Sequence, residues 1–301
     1  MQRGSAPAPE PQGRYGEIFD RGYSHYTGQR LGRQHARRAL VGYSVKRAMG
    51  IKKSWTAKVI PMFLYIAVAM PVIISLGIRA FLPSAEILDY GQFFGFVFIL
   101  QGIFAATVAP EMLCPDRHEH VLSLYFSRSL KRLDYILSKV AATALLMTTM
   151  SLVPAAILWL GRQLLDDHPL SAMKNNIDDL GKVILAGVLI SFYIGSVSLM
   201  IASFTGRKSI AVAVIIILVA ISTSLAFALA SALDYDWSRY LVFISPVSTV
   251  EGMALTLFNQ TDGVESFADR GFLPFWNYAA AMIGTIAIAV AIMLWRYLPD
   301  E

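Results

Sequence analysis

Apolar residues in this chain fall into six long runs unbroken by charge, near Ile60–Ile78, Phe93–Val108, Val140–Leu160, Val183–Phe204, Ile210–Leu233 and Tyr278–Leu294. A hydrocarbon core takes about 20 mostly apolar residues to cross as a helix. The pattern therefore predicts six transmembrane helices, the second lengthened through Gly91-Gln92 and Ala109-Pro110. The polar residues are grouped between the runs. The densest group is an insert from Pro115 to Tyr135, between the second and third runs.

Three shorter elements complete the expected all-α architecture. From Leu31 to Met49, Ala36, Leu40 and Tyr43 fall on one flank and Val41, Val45 and Ala48 on the next, with Arg33, Arg37, Arg38, Lys46 and Arg47 as the basic remainder. An apolar face among cations predicts a helix lying at the membrane surface, with Trp55 as its interfacial anchor. In the insert, Asp116 and Glu119 read as a capping-box variant opening a short helix from Arg117 to Phe126. Ser127-Arg128-Ser129 breaks that helix and Ser129 caps the next. After the fifth run, Tyr240–Ile244 is too short to span, and Val247, Val250, Ala254 and Leu257 recur at helical spacing behind Ser245-Pro246. That segment reads either as an outer re-entrant hairpin or as a surface loop. Re-entrant backbone is admitted at membrane depth only where protein or a water cavity covers it. The expected division is a flexible leader over 1–28, an interfacial amphipathic helix over 29–57 and a six-helix membrane domain over 58–301.

Charge orients the helices. With six spans both termini share a side, and that side carries 20 of the 26 Lys and Arg. Cytoplasmic loops retain positive charge, so both termini are expected in the cytoplasm. The net charge of +5 then reports topology and attraction to anionic headgroups, not a nucleic-acid partner. Residues 1–30 contain no apolar core of a signal peptide. Composition agrees with a membrane protein: 55% of residues are hydrophobic and 16% charged, against roughly 25% charged in globular proteins. The lone cysteine, Cys114, excludes an intrachain disulfide.

The stretch from Glu111-Met112 to Lys139, with Leu-Tyr-Phe-Ser-Arg-Ser-Leu at 124–130 and Arg132-Leu133-Asp134-Tyr135 after it, resembles permeases of the type 2 ATP-binding-cassette (ABC) exporters. That family often has Pro where Ser129 stands here. The tight turn Ser203–Ala211 and Ile244-Ser245-Pro246-Val247 are further echoes, and Gly22–Arg33 is similar to the leader of actinobacterial members. The resemblance implies a permease half in the bacterial plasma membrane, paired with a second permease half, identical or sister, and with two ATPase subunits that bind ATP and Mg. It implies that the insert is a coupling helix seated on the ATPase. Arg117, Glu119, Arg128 and Arg132 would make its polar contacts, and Leu124 and Tyr125 its apolar seating.

The chain's own residues fit a driven subunit without a motor. No Gly-x4-Gly-Lys-Ser/Thr loop occurs, so nucleotide is not cradled by that route. No Asp, Glu, Lys, Arg or His falls well inside the six runs, which disfavours an ion-coupled carrier. Gln101, Tyr193, Ser222 and Thr223 are candidates for a translocation path, set against the packing role that polar side chains commonly take between membrane helices. Cys114, His118 and His120 have zinc-binding types but no matching spacing, so no metal is expected. No cofactor is expected on this chain, and no catalytic nucleophile is recognisable. The other class left open is an integral-membrane enzyme or scaffold whose basic face binds lipid headgroups or protein.

Overall fold

The computed structural model describes residues 31–51, 55–82, 87–119, 125, 130–233, 235–262 and 272–297. From Gly32 on they belong to one unit, Gly32–Glu301, and the expected leader over 1–28 lies outside the described residues. The described residues contain helices and turns and no strand. The order is α1 (Gly32–Ala48), α2 (Thr56–Phe81), α3 (Tyr90–His118), α4 (Arg132–Leu164), α5 (Pro169–Asn175), α6 (Ile177–Ser203) and α7 (Lys208–Ala232), then a 3-10 segment (Asp236–Ile244), α8 (Pro246–Leu257) and α9 (Phe275–Tyr297).

Six of these, α2, α3, α4, α6, α7 and α9, are long and apolar enough to cross a membrane. All six apolar runs lie within or within one residue of these helices, which extend beyond the runs into polar sequence. The helices divide by burial. More than half of the apolar window of α3, α4 and α6 is buried, against less than a third for α2, α7 and α9. The first three form the core of the bundle. The others expose Phe63, Ile66, Ile73, Ile217, Ile221, Ile283 and Ile288, a surface suited to lipid.

Small residues set the closest approaches. A Cβ on Gly187 of α6 would lie 2.3 Å from Leu152 Cδ2 of α4. One on Gly252 of α8 would lie 2.6 Å from the Tyr278 ring of α9. Without side chains at these points the helix backbones approach closely, which is how membrane helices gain contact when no hydrophobic drive separates them from lipid.

The segment behind the fifth span forms the expected helix, α8. Pro246 takes its first helical position, where the missing N–H costs nothing. Ser245 Oγ caps it by accepting from Ser248 N at 3.1 Å. The 3-10 segment, from Trp237 on, and α8 meet at a bend of 112°. Helix α5 has no sequence signal beyond Pro169.

The insert differs from expectation in two respects. Asp116 does not open a new helix, because α3 runs on through Pro110 and Pro115 to His118. Each proline removes a backbone donor, a local cost outweighed by tertiary contacts: the Asp116 carboxylate is buried and held by partners from α1 and α4. Residues 120–124 and 126–129, and with them most of the expected short helix and the break at Ser127–Ser129, lie outside the described residues. Helix α4 begins at Arg132 with Lys131 at its N-cap, two residues after the cap expected at Ser129, because the Asp134 carboxylate closes this turn: its Oδ2 accepts from Lys131 N at 3.2 Å.

Candidate functional site

At the end of the bundle where α3 stops and α4 begins, charged side chains from four helices interlock. The centre is a buried pair. Lys139 Nζ lies 2.7 Å from Asp116 Oδ2, and each side chain is 1% exposed. Lys139 also donates to Met112 O at 2.9 Å. Tyr135, one turn before Lys139 on α4, donates to the same Asp116 oxygen at 2.9 Å. The other oxygen, Oδ1, accepts from Arg47 Nη1 of α1 at 3.1 Å. The carboxylate is thus satisfied on both oxygens, the condition under which a buried charge is tolerated.

Arg47 extends this centre outward. Its Nε lies 3.5 Å from Glu111 Oε1 and its Nη2 lies 3.7 Å from Glu119 Oε1. Burial works against the Arg47 charge, but Tyr43, Asp116, Glu111 and Glu119 outweigh it and hold the guanidinium above its ordinary value. Glu111 passes the connection to α7 through Lys208 Nζ at 2.7 Å. A second contact fixes the start of α1, where Arg33 Nη2 donates to Asp134 Oδ1 at 2.8 Å and Arg37 Nε donates to it at 2.7 Å. Helix α1 therefore spans both feet of the α3–α4 connection, with Leu40, Ser44 and Ala48 buried beneath it.

The six expected coupling residues distribute unevenly around this cluster. Arg117 donates to Ser203 O at the end of α6, and so is turned into the chain. Arg296 Nε of α9 donates to the same carbonyl at 2.8 Å. Glu119 is exposed and faces Arg47. Tyr125 is partly buried, its ring centroid 5.9 Å from that of Tyr135. Arg132 is the first residue of α4, while Leu124 and Arg128 lie outside the described residues. On α1, Arg38, Tyr43, Lys46 and Arg47 join Glu119 in lining a cavity of about 730 Å³. The Cys114 thiol faces Thr205 O at 3.5 Å, and His120 lies outside the described residues.

The candidate path residues are placed in two settings. Gln101 is buried between α3, α4 and α6, where Nε2 donates to Met147 O at 2.8 Å and lies 3.4 Å from Ser191 Oγ. Ser151 and Ser191 stand 3.2 Å apart beside it. Tyr193 is buried against Phe98, with ring centroids 6.3 Å apart. These two sit within the packing of a single chain. Ser222 is buried on α7. Thr223 bonds Ser245 Oγ at 2.8 Å and lines a groove of about 380 Å³.

Reading the sequence alone passes over Lys139, Tyr135 and Asp134 as members of a site. A signal exists: Lys139 and Tyr135 stand four residues apart, hence on one helix face, at the threshold of an apolar run where a cation needs a partner. Asp116 reads locally as a cap, although its partners lie 69, 19 and 23 residues away. Glu251 is also passed over, because it belongs to α8 and not to one of the six runs.

Six helices long and apolar enough to cross a membrane, three of them (α3, α4 and α7) joined at one end by ionic contacts, define a multi-pass membrane protein. Residues 81–295 match the family model of the ABC-2 family transporter proteins. The chain belongs to that family, as the permease, or transport membrane, subunit of an ABC transporter. Permeases of this family generally work with an ATP-binding-cassette ATPase partner. No curated protein matches the sequence.

Proposed function

We propose that this chain is the permease half of an ATP-driven exporter, driven at the α3–α4 connection by a separate ATPase. The observation that carries the reading is the buried Asp116–Lys139 pair with Tyr135 and Arg47 around it. A force applied to residues 119–131 reaches α3 through Asp116 and Glu119 and α4 through Asp134 and Lys139. It reaches α1 through Arg33, Arg37 and Arg47. Coupling by a rigid contact network of this kind needs no nucleotide site on the permease itself.

On this reading the connection is a coupling helix. Arg117 supports it from within, by holding the end of α6, while Glu119, Leu124, Tyr125, Arg128 and Arg132 belong to the docking surface. Both termini then lie in the cytoplasm of a bacterial cell, a placement the basic flanks support, and α1 lies at the cytoplasmic face of the plasma membrane. The bent pair of the 3-10 segment and α8 is then a re-entrant hairpin opening to the outer side. Two ATPase subunits and a second permease half, identical or sister, complete the transporter, with ATP and Mg on the ATPase subunits.

The test is co-purification of the tagged chain with the ATP-binding subunit from its own host, with ATP turnover measured in lipid. Wild type is expected to bring down the ATPase, and Arg128→Glu is expected to lose it while the permease remains monodisperse. An ATPase that neither co-purifies nor changes its turnover in the presence of this chain would refute the proposal.

A further inference from the structure

Glu251 is the one carboxylate on α8, and among the described residues no hydrogen bond or ion pair reaches it. It is exposed, and what it is exposed to is a groove. The groove is lined by Gln92, Gly95, Phe96 and Ile99 of α3 and by Val247 and Leu255 of α8, with a volume of about 390 Å³. Ile99 and Val247 also wall the adjoining space of about 380 Å³, which Ile216, Val219 and Thr223 of α7 close from the other side. Gly95 lies opposite the carboxylate: a Cβ there would be 3.9 Å from Glu251 Cγ. Two cavities sharing two walls thus form one aliphatic trough with an acid at one end.

Isolated carboxylates among membrane helices are costly and are kept where they bind something. The chemistry of the walls selects what. An inorganic cation takes about six oxygen ligands, whereas among the residues lining the groove Gln92 is the one other polar side chain and the rest are apolar. A lipid chain would fill the trough and leave the charge uncompensated. A second copy docking through this face about a two-fold axis would bring its own Glu251 to the same interface, adding a like charge. An organic cation with an apolar body satisfies both halves.

We propose that the trough between α3, α7 and α8 binds amphipathic organic cations, the apolar body against Ile99, Val219 and Val247 and the cationic centre at Glu251. This rests on the permease reading for its place in transport, since it names the substrate class of that permease.

The test uses the full-length chain in lipid nanodiscs with radiolabelled tetraphenylphosphonium as the probe. Saturable binding is expected. Glu251→Gln is expected to weaken it by roughly tenfold or more, the loss of one charge-assisted contact, and Glu251→Asp to restore most of it. Ile99→Trp, which fills the trough without touching the charge, is expected to weaken binding as well. Triphenylphosphine oxide, of similar apolar bulk and without net charge, is expected not to displace the probe from wild type. Equal affinity in Glu251→Gln, or displacement by triphenylphosphine oxide, overturns the proposal. So does absence of saturable binding in wild type; if oxidation then cross-links Ile99→Cys copies to one another, the trough belongs to a second copy. Co-purification of the ATPase is scored separately. Glu251-dependent binding without an ATPase would leave the cation site standing and refute the exporter, and the reverse result would do the opposite.

Discussion

Removing one member of the Asp116–Lys139 pair isolates the energetic centre of the proposed coupling site. The two side chains are equally buried, at 1% exposure, and 2.7 Å apart. Stripping one charge from such a pair costs about 3–5 kcal/mol, because the other is left buried without its partner. The surroundings make the two halves unequal. Lys139→Met leaves Asp116 with Tyr135 and Arg47, so its cost is expected near ~3 kcal/mol, the lower limit for breaking a buried pair. Asp116→Asn leaves the Lys139 ammonium donating to the neutral Met112 carbonyl, and is expected near ~5 kcal/mol, the upper limit. The double variant removes both charges, while Arg47 keeps Glu111 and Glu119. It is expected to lose at least ~2 kcal/mol less than the sum of the single losses, since residues in contact do not add. Reversible unfolding in mixed micelles, followed by helical circular dichroism, measures all three. Additive losses within about 0.5 kcal/mol, the agreement typical of independent sites, would refute the reasoning.

Two further outcomes test other parts of the structure. Asp134→Asn removes the anion shared by Arg33 and Arg37, so hydrogen exchange across residues 32–48 is expected to accelerate several-fold with the six spans unchanged, roughly as for a locally opened element; unchanged protection would show that apolar packing alone holds α1. Gln101→Leu removes a buried donor to Met147 O together with an acceptor, Oε1, that has no partner among the described residues. Stability is expected to change by less than ~1 kcal/mol, as when an imperfectly paired polar group is replaced by an apolar one, and transport to persist; loss of transport at unchanged stability would put Gln101 on the translocation path.

The six spans are legible in the sequence because their signal is local: length, hydropathy and freedom from charge suffice, and each helix lies where an apolar run does. Helix α8 is legible for the same reason, with Ser245 and Pro246 marking its start. The site is only half legible. Capping logic places Asp116 at a helix start, since Asp followed three residues later by Glu is a local pattern. The competing pull comes from Lys139, Tyr135 and Arg47, distant in sequence and close in space. The basic face of α1 meets the same fate: Arg33, Arg37 and Arg47 look like a solvated stripe in sequence, and carboxylates of α3 and α4 take them up in the fold. Glu251 escapes because a search for charges confined to the six long runs leaves out a twelve-residue helix.

Ser245 serves two neighbours with a single hydroxyl. Its Oγ caps α8 at Ser248 N and also meets Thr223 Oγ1 on α7. The foot of α8 is thereby pinned to the side of the fifth span like a crank to its shaft, with the 112° bend as the elbow. A rotation of that shaft carries the crank arm with it, and the arm bears, less than two turns along, an acid facing the trough. Cutting the pin with Ser245→Ala would let the shaft turn while the arm stays put.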